Sequence, residues 1–108
     1  MARPPRIWIS TETPAAGEIV RVRAQVVHPM ESGFRLDATG QPIPRDILTG
    51  FTATLDGQLL LEWLPETAIS QNPYLEFTFA ARTSGTLRMV WTDKGAALAE
   101  AERTITVA

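Results

Sequence analysis

Apolar and polar positions alternate with a period of two along most of the chain. In residues 18–28, Val20, Val22, Ala24 and Val26 share one face, while Arg21, Arg23 and Gln25 share the other. Successive side chains of an extended strand point to opposite sides, so this pattern predicts a half-buried strand. Residues 75–81 repeat it with Phe77 and Phe79 inward, and residues 86–92 with Leu87, Met89 and Trp91. Shorter runs place Phe51, Ala53 and Leu55 on one face, and Leu59, Leu61 and Trp63 on another. Residues 6–9 and 103–107 read as the first and last strands. Residues 95–103 have high intrinsic helix propensity. They are nevertheless read as a bent or bulged entry to the last strand, because a sandwich needs that strand paired.

The turns agree with this reading. Asp56-Gly57 between two alternating runs is a strong hairpin signal. Thr83-Ser84-Gly85 and Asp93-Lys94-Gly95 separate later runs, and Pro14-Ala15-Ala16-Gly17 ends the N-terminal strand. Seven short strands spaced by turns predict an all-β fold, an immunoglobulin-like antiparallel β-sandwich, in one domain over residues 1–108. Trp63, Phe77, Phe79 and Trp91 are expected in its core. Leu59-Leu60-Leu61 puts apolar side chains on both faces of one strand, and Ile19 and Val90 fall on outward positions. These are candidates for a partner interface, since such surface is a liability in a lone monomer.

Composition narrows the function. The 108 residues suffice for one core without metal or disulfide staples. Absence of cysteine removes thiol nucleophiles, disulfide frameworks, zinc clusters and iron–sulfur sites. His28 is the sole histidine, so a histidine-based metal site is not expected, and no Gly-rich phosphate loop is present. The formal net charge is -2, and neither half has the basic excess of a nucleic-acid binder. No apolar run has the length of a signal peptide or membrane span. The residues alone describe a small soluble domain that is not an enzyme, with no cofactor, no nucleic-acid partner and no membrane partner.

Residues 28–46 break the strand pattern with three prolines and two glycines. Loops of this length in a compact domain are usually functional or disordered. Met30, Phe34 and Ile43 are expected to anchor it as an ordered loop. The blocks His28-Pro29-Met30-Glu31-Ser32-Gly33, then Arg35, Asp37, Gly40, Pro42-Ile43-Pro44-Arg45 and Ile47, resemble the long loop of the SoxZ family. Ala68-Ile69-Ser70-Gln71-Asn72-Pro73-Tyr74-Leu75-Glu76-Phe77, Ser84-Gly85-Thr86, Trp91-Thr92-Asp93 and the closing Ile105-Thr106-Val107-Ala108 extend the resemblance over nearly the whole chain.

The resemblance implies an immunoglobulin-like, non-catalytic subunit of the SoxYZ carrier of thiosulfate and sulfur oxidation. SoxZ-like chains bind SoxY, whose flexible Gly-Gly-Cys-Gly-Gly arm carries the sulfur adduct among the other Sox enzymes, which dock transiently. It also implies a periplasmic location without a signal peptide of its own, by export with SoxY. The alternative reading is a stand-alone immunoglobulin-like protein-binding module. Candidate partner-binding residues are His28, Met30, Glu31, Arg35, Pro44, Arg45, Asn72, Pro73 and Tyr74. His28 either exchanges protons near the adduct or fixes the loop through a hydrogen bond. Arg35 and Arg45 either grip an anionic adduct in forked geometry or pair with Glu31, Asp37 or Asp46 in their own loop. Asn72-Pro73-Tyr74 is either a partner-facing turn, with Asn72 held extended by Pro73, or a tight loop packed on the sandwich. Lys94 is read as solvated.

Overall fold

In a computed structural model of the chain, residues 4–31, 33–64, 71–93 and 96–108 are described. Ala68-Ile69-Ser70 and Lys94 lie outside the described residues. Among the described residues seven strands follow one another: β1 (Arg6–Ile9), β2 (Ile19–Gln25), β3 (Gly50–Leu55), β4 (Gln58–Trp63), β5 (Tyr74–Ala80), β6 (Gly85–Asp93) and β7 (Ala96–Ile105). They form a three-stranded sheet in the order β1-β2-β5 and a four-stranded sheet in the order β4-β3-β6-β7. Every pairing is antiparallel. This is the immunoglobulin-like sandwich that the spacing of strands and turns predicts.

The alternation explains the core. Val20, Val22, Ala24 and Val26 turn inward from β2 and its extension, and Phe77 and Phe79 from β5. Phe51, Ala53, Leu87, Met89 and Trp91 answer them from the other sheet. The ring of Phe51 lies 4.8 Å from Trp91 and 6.2 Å from Phe77, centroid to centroid, and so links the two sheets. Trp63 is only partly buried, at the edge of this core. The helix-prone stretch is extended in β7, which pairs with β6 from Gly85↔Ile105 to Asp93↔Ala96. Its local propensity yields to the ladder bonds and to burial of Ile105.

Asp56 and Gly57 join β3 to β4 as a two-residue turn with φ of 47° and 83°. Two positive φ values define the mirror-image turn whose twist matches a hairpin. One expectation fails beside it. The expected common face of Leu59, Leu61 and Trp63 is broken by a bulge: Ala53 pairs with Leu61 but Thr54 pairs with Leu59. Leu60 is the extra residue, which reverses the parity of what precedes it. Leu59 therefore joins Thr54 on the outer face and is 57% exposed, while Leu61 and Trp63 pack at the core's margin.

The long loop, expected to be ordered, is held by its own backbone bonds. Glu31 and Asp46 exchange backbone N–H···O bonds of 2.7 and 2.8 Å, Ile43 donates to the Arg35 carbonyl, and Asp37 and Gln41 close the tip. The segment is thus a loose hairpin. Met30 anchors it as expected, but Phe34 does not: it stands 86% exposed. An anchor must fall where the chain re-enters the sandwich, and Phe34 lies beyond the Glu31–Asp46 bridge.

Candidate functional site

The inward parity of β2 continues beyond its end. After Val26 the next inward residue is His28, which is 3% exposed. Its Nδ1 accepts the N–H of Met30 at 2.9 Å, and the Met30 Sδ accepts the N–H of Leu48 at 3.4 Å. Met30 takes the unusual φ of 49°, which this local bond holds in place. Asn72 closes the other side. His28 N–H donates to Asn72 Oδ1 at 2.9 Å, and Asn72 N–H donates back to the His28 carbonyl at 2.7 Å. The Gln25 side-chain amide donates to the Asn72 carbonyl at 3.0 Å. Asn72 is not the extended residue expected before proline; its φ is 53°. The reciprocal bonds to His28 require that turn, and asparagine tolerates positive φ better than most residues.

The far side of the imidazole faces two carboxylates. His28 Nε2 lies 3.5 Å from Asp46 Oδ1 and 3.5 Å from Asp93 Oδ2. Asp46 arrives from the loop hairpin and Asp93 from the end of β6. Their ligand-type atoms all fall within 4.8 Å of one another, the compactness of a metal site. The hydrogen bonding, however, assigns a different role in this arrangement. A neutral imidazole has one donor and one acceptor nitrogen, and Nδ1 is already the acceptor. The hydrogen therefore sits on Nε2, where the N–H faces both carboxylates at 3.5 Å without completing a hydrogen bond to either, whereas a metal needs that nitrogen's lone pair. The three residues tie β2, the hairpin and β6 together at one end of the sandwich.

The remaining candidates divide between this knot and the surface. Met30 and Pro73 are buried, and the Pro73 carbonyl accepts the Val26 N–H at 3.3 Å. Arg35 forks onto Glu31, with Nε 3.2 Å from Oε2 and a second contact from Nη2 to Oε1. Its guanidinium is thus engaged within its own loop. Pro44 and Arg45 are exposed on the returning arm, and Tyr74 is exposed at the start of β5. The candidates do not form one patch: His28, Met30, Asn72 and Pro73 build the support, and Glu31, Arg35, Pro44 and Arg45 lie on the hairpin above it. Sequence reasoning misses Asp93 and Leu48 as members of the knot. Asp93 carries a parity signal, since it follows Trp91 at strand spacing just as His28 follows Val26.

The hairpin is expected to respond to pH. The Arg35 guanidinium, first through its hydrogen bond, holds the Glu31 carboxyl below the usual carboxylate range. The Thr39 hydroxyl, then the Gln41 and Thr39 amides, hold Asp37 below it as well. A carboxyl depressed in the folded state stabilises it above the unfolded pKa, and that contribution disappears as pH falls through the folded value. Acidification from neutrality to below the carboxylate range is therefore expected to loosen the hairpin before the sheets. Carboxyl chemical shifts of Glu31 and Asp37, followed with amide exchange at Thr39 and Gln41, check this: the amides should lose protection together with the two titrations.

Comparison with known proteins fixes the family. Residues 9–104 match the family described as Sulphur oxidation protein SoxZ. The chain belongs to the SoxZ family. That membership places it in the Sox system of sulfur oxidation. None of the curated proteins matches it closely enough to count as a relative. Among solved structures, the sulfur carrier protein SoxY from Chlorobium limicola f thiosulfatophilum aligns with a TM-score of 0.65 at 15% identity, covering 98% of this chain and 80% of that one. A superoxide reductase (neelaredoxin) from Ignicoccus hospitalis aligns at 0.67 and 21% identity, covering 99% and 82%. A putative superoxide reductase from Thermotoga maritima aligns at 0.62 and 17%, covering 98% and 86%. At these identities the likeness is one of fold: a SoxZ-family chain shares its sandwich with a sulfur carrier and with enzymes.

Proposed function

We propose that this SoxZ-family chain is the non-catalytic subunit of a SoxYZ-type sulfur carrier. It binds a SoxY-like chain, keeps it soluble and presents the cysteine-bearing arm to the enzymes of thiosulfate and sulfur oxidation. The observation that carries this reading is the family match over residues 9–104 in a chain with no cysteine. Such a chain cannot hold sulfur covalently on a thiol, so the carrier thiol belongs to the partner. The knot around His28 supports it further. It spends its polar groups on fixing a hairpin, which gives the exposed Pro44 and Arg45 a rigid base from which to meet a partner. The carrier works in the periplasm, reached by export with its SoxY-like partner.

Sedimentation of this chain alone, and mixed at micromolar concentration with a SoxY-like chain from the same source, tests the reading. A one-to-one complex is expected, with no thiosulfate turnover by the lone chain. A mixture in which both chains sediment independently would sink it.

A further inference from the structure

We propose that the outer face of the β1-β2-β5 sheet is a docking surface for an acidic patch on the carrier partner. The inference rests on the carrier reading and adds to it the face and the chemistry of contact. Pairing lines up four rows across this face: Arg6–Gln25–Tyr74, Trp8–Arg23–Glu76, Arg21–Thr78 and Ile19–Ala80. Three arginines thus meet one glutamate, in a chain whose formal net charge is -2. The opposite sheet has the reverse sign. There Glu62, Glu100 and Glu102 face outward against Arg88, which already binds Glu100 at 2.8 Å. The sandwich is therefore electrically two-sided, and a partner's acidic surface is drawn to one side of it and repelled from the other.

The basic face also has the residue types that anchor interfaces. Trp8 is 48% exposed and Tyr74 is 56% exposed, and tryptophan, tyrosine and arginine dominate binding hot spots. Arg23 is pre-ordered: its guanidinium carbon sits 4.6 Å above the Trp8 ring, and its Nε is 3.3 Å from Glu76 Oε1. The forked end of Arg23 is left for a carboxylate at little further cost in side-chain entropy. Among the described residues neither Arg6 nor Arg21 forms an ion pair. Between Arg6, Trp8, Arg23, Gln25 and Tyr74 lies a shallow hollow of about 330 Å³, open to solvent and wide enough for an inserted side chain. A protein fits this surface better than a nucleic acid. Three arginines on one small face, backed by an acidic sheet, do not make the extended basic track that a polyanion needs.

The test measures affinity for the SoxY-like chain from the same source, at low and at moderate salt. The wild-type complex should weaken as salt rises. The double reversal Arg6→Glu/Arg21→Glu should bind at least tenfold more weakly, and Trp8→Ser several-fold more weakly. All these positions are exposed, and an unchanged melting profile should show that the fold survives. Arg88→Glu/Arg103→Glu changes the net charge equally but in the opposite sheet, and should bind within about threefold of wild type. Four outcomes overturn the proposal: a complex indifferent to Arg6→Glu/Arg21→Glu and Trp8→Ser; two double variants equally impaired; binding of a single-stranded oligonucleotide lost on the same substitutions; or no wild-type complex. The last also removes the carrier reading, whereas the first two leave it standing.

Discussion

Phe51→Ala is expected to lower the unfolding free energy by about 3–5 kcal/mol, the range for truncating a buried phenylalanine. Phe51 is fully buried and touches Trp91 within its own sheet and Phe77 across the sandwich. The loss combines transfer of the ring to solvent with a cavity that two stiff sheets cannot close. A domain of this size commands about 5–15 kcal/mol in total, so the variant sits near the threshold of folding. Urea unfolding followed by tryptophan fluorescence measures it. Phe51→Leu should recover most of the loss, because it refills much of the space with apolar atoms. If Phe51→Ala shifts the midpoint no more than a surface change does, the two sheets are held by something other than this aromatic bridge.

What is legible in the sequence is the part governed by local periodicity. Alternation places the seven strands, and Asp56-Gly57 places a turn that needs two positive φ values. The extended form of β7 follows from a topological argument, against the propensity of its alanines. What is not legible depends on contacts distant in sequence. Nothing local marks Leu60 as a bulge, because an inserted residue in an all-leucine run leaves each position apolar. Phe34 reads as an anchor on hydrophobicity alone, yet its place is set by where the hairpin leaves the sandwich. The site shows the same division. The burial of His28 is implicit in the parity of β2, but its meeting with Asp46 and Asp93 joins three segments separated by 18 and 47 positions. Asn72 reads as part of a turn, either partner-facing or packed. The structure makes its side chain a cap for the backbone of His28, a bond across 44 positions.

The heaviest consequence for the site itself concerns His28. His28→Ala should cost about 2–4 kcal/mol, since it leaves the buried Met30 N–H without its acceptor and opens a cavity beneath the hairpin. It also leaves Asp46 and Asp93 facing each other without the intervening N–H. His28→Asn separates these effects. An asparagine Oδ1 attached at the same carbon occupies roughly the place of Nδ1 and accepts the Met30 N–H, while its Nδ2 sits near the place of Cδ2, one bond short of where Nε2 faces the two carboxylates. Most of the stability should return if the Met30 bond dominates. Hydrogen exchange gives a second readout: in His28→Ala, protection should fall at Met30, Leu48 and Asn72, while the β3-β6 ladder retains its order of protection. The SoxY-like partner should still bind His28→Asn, since a buried side chain that acts through the hairpin need only keep the hairpin in place. Weakened binding by His28→Asn with an intact hairpin would instead give the imidazole a direct part in partner recognition. Nδ1-bound Met30 and Nε2-facing carboxylates would then be the means of orienting that ring rather than of securing the loop.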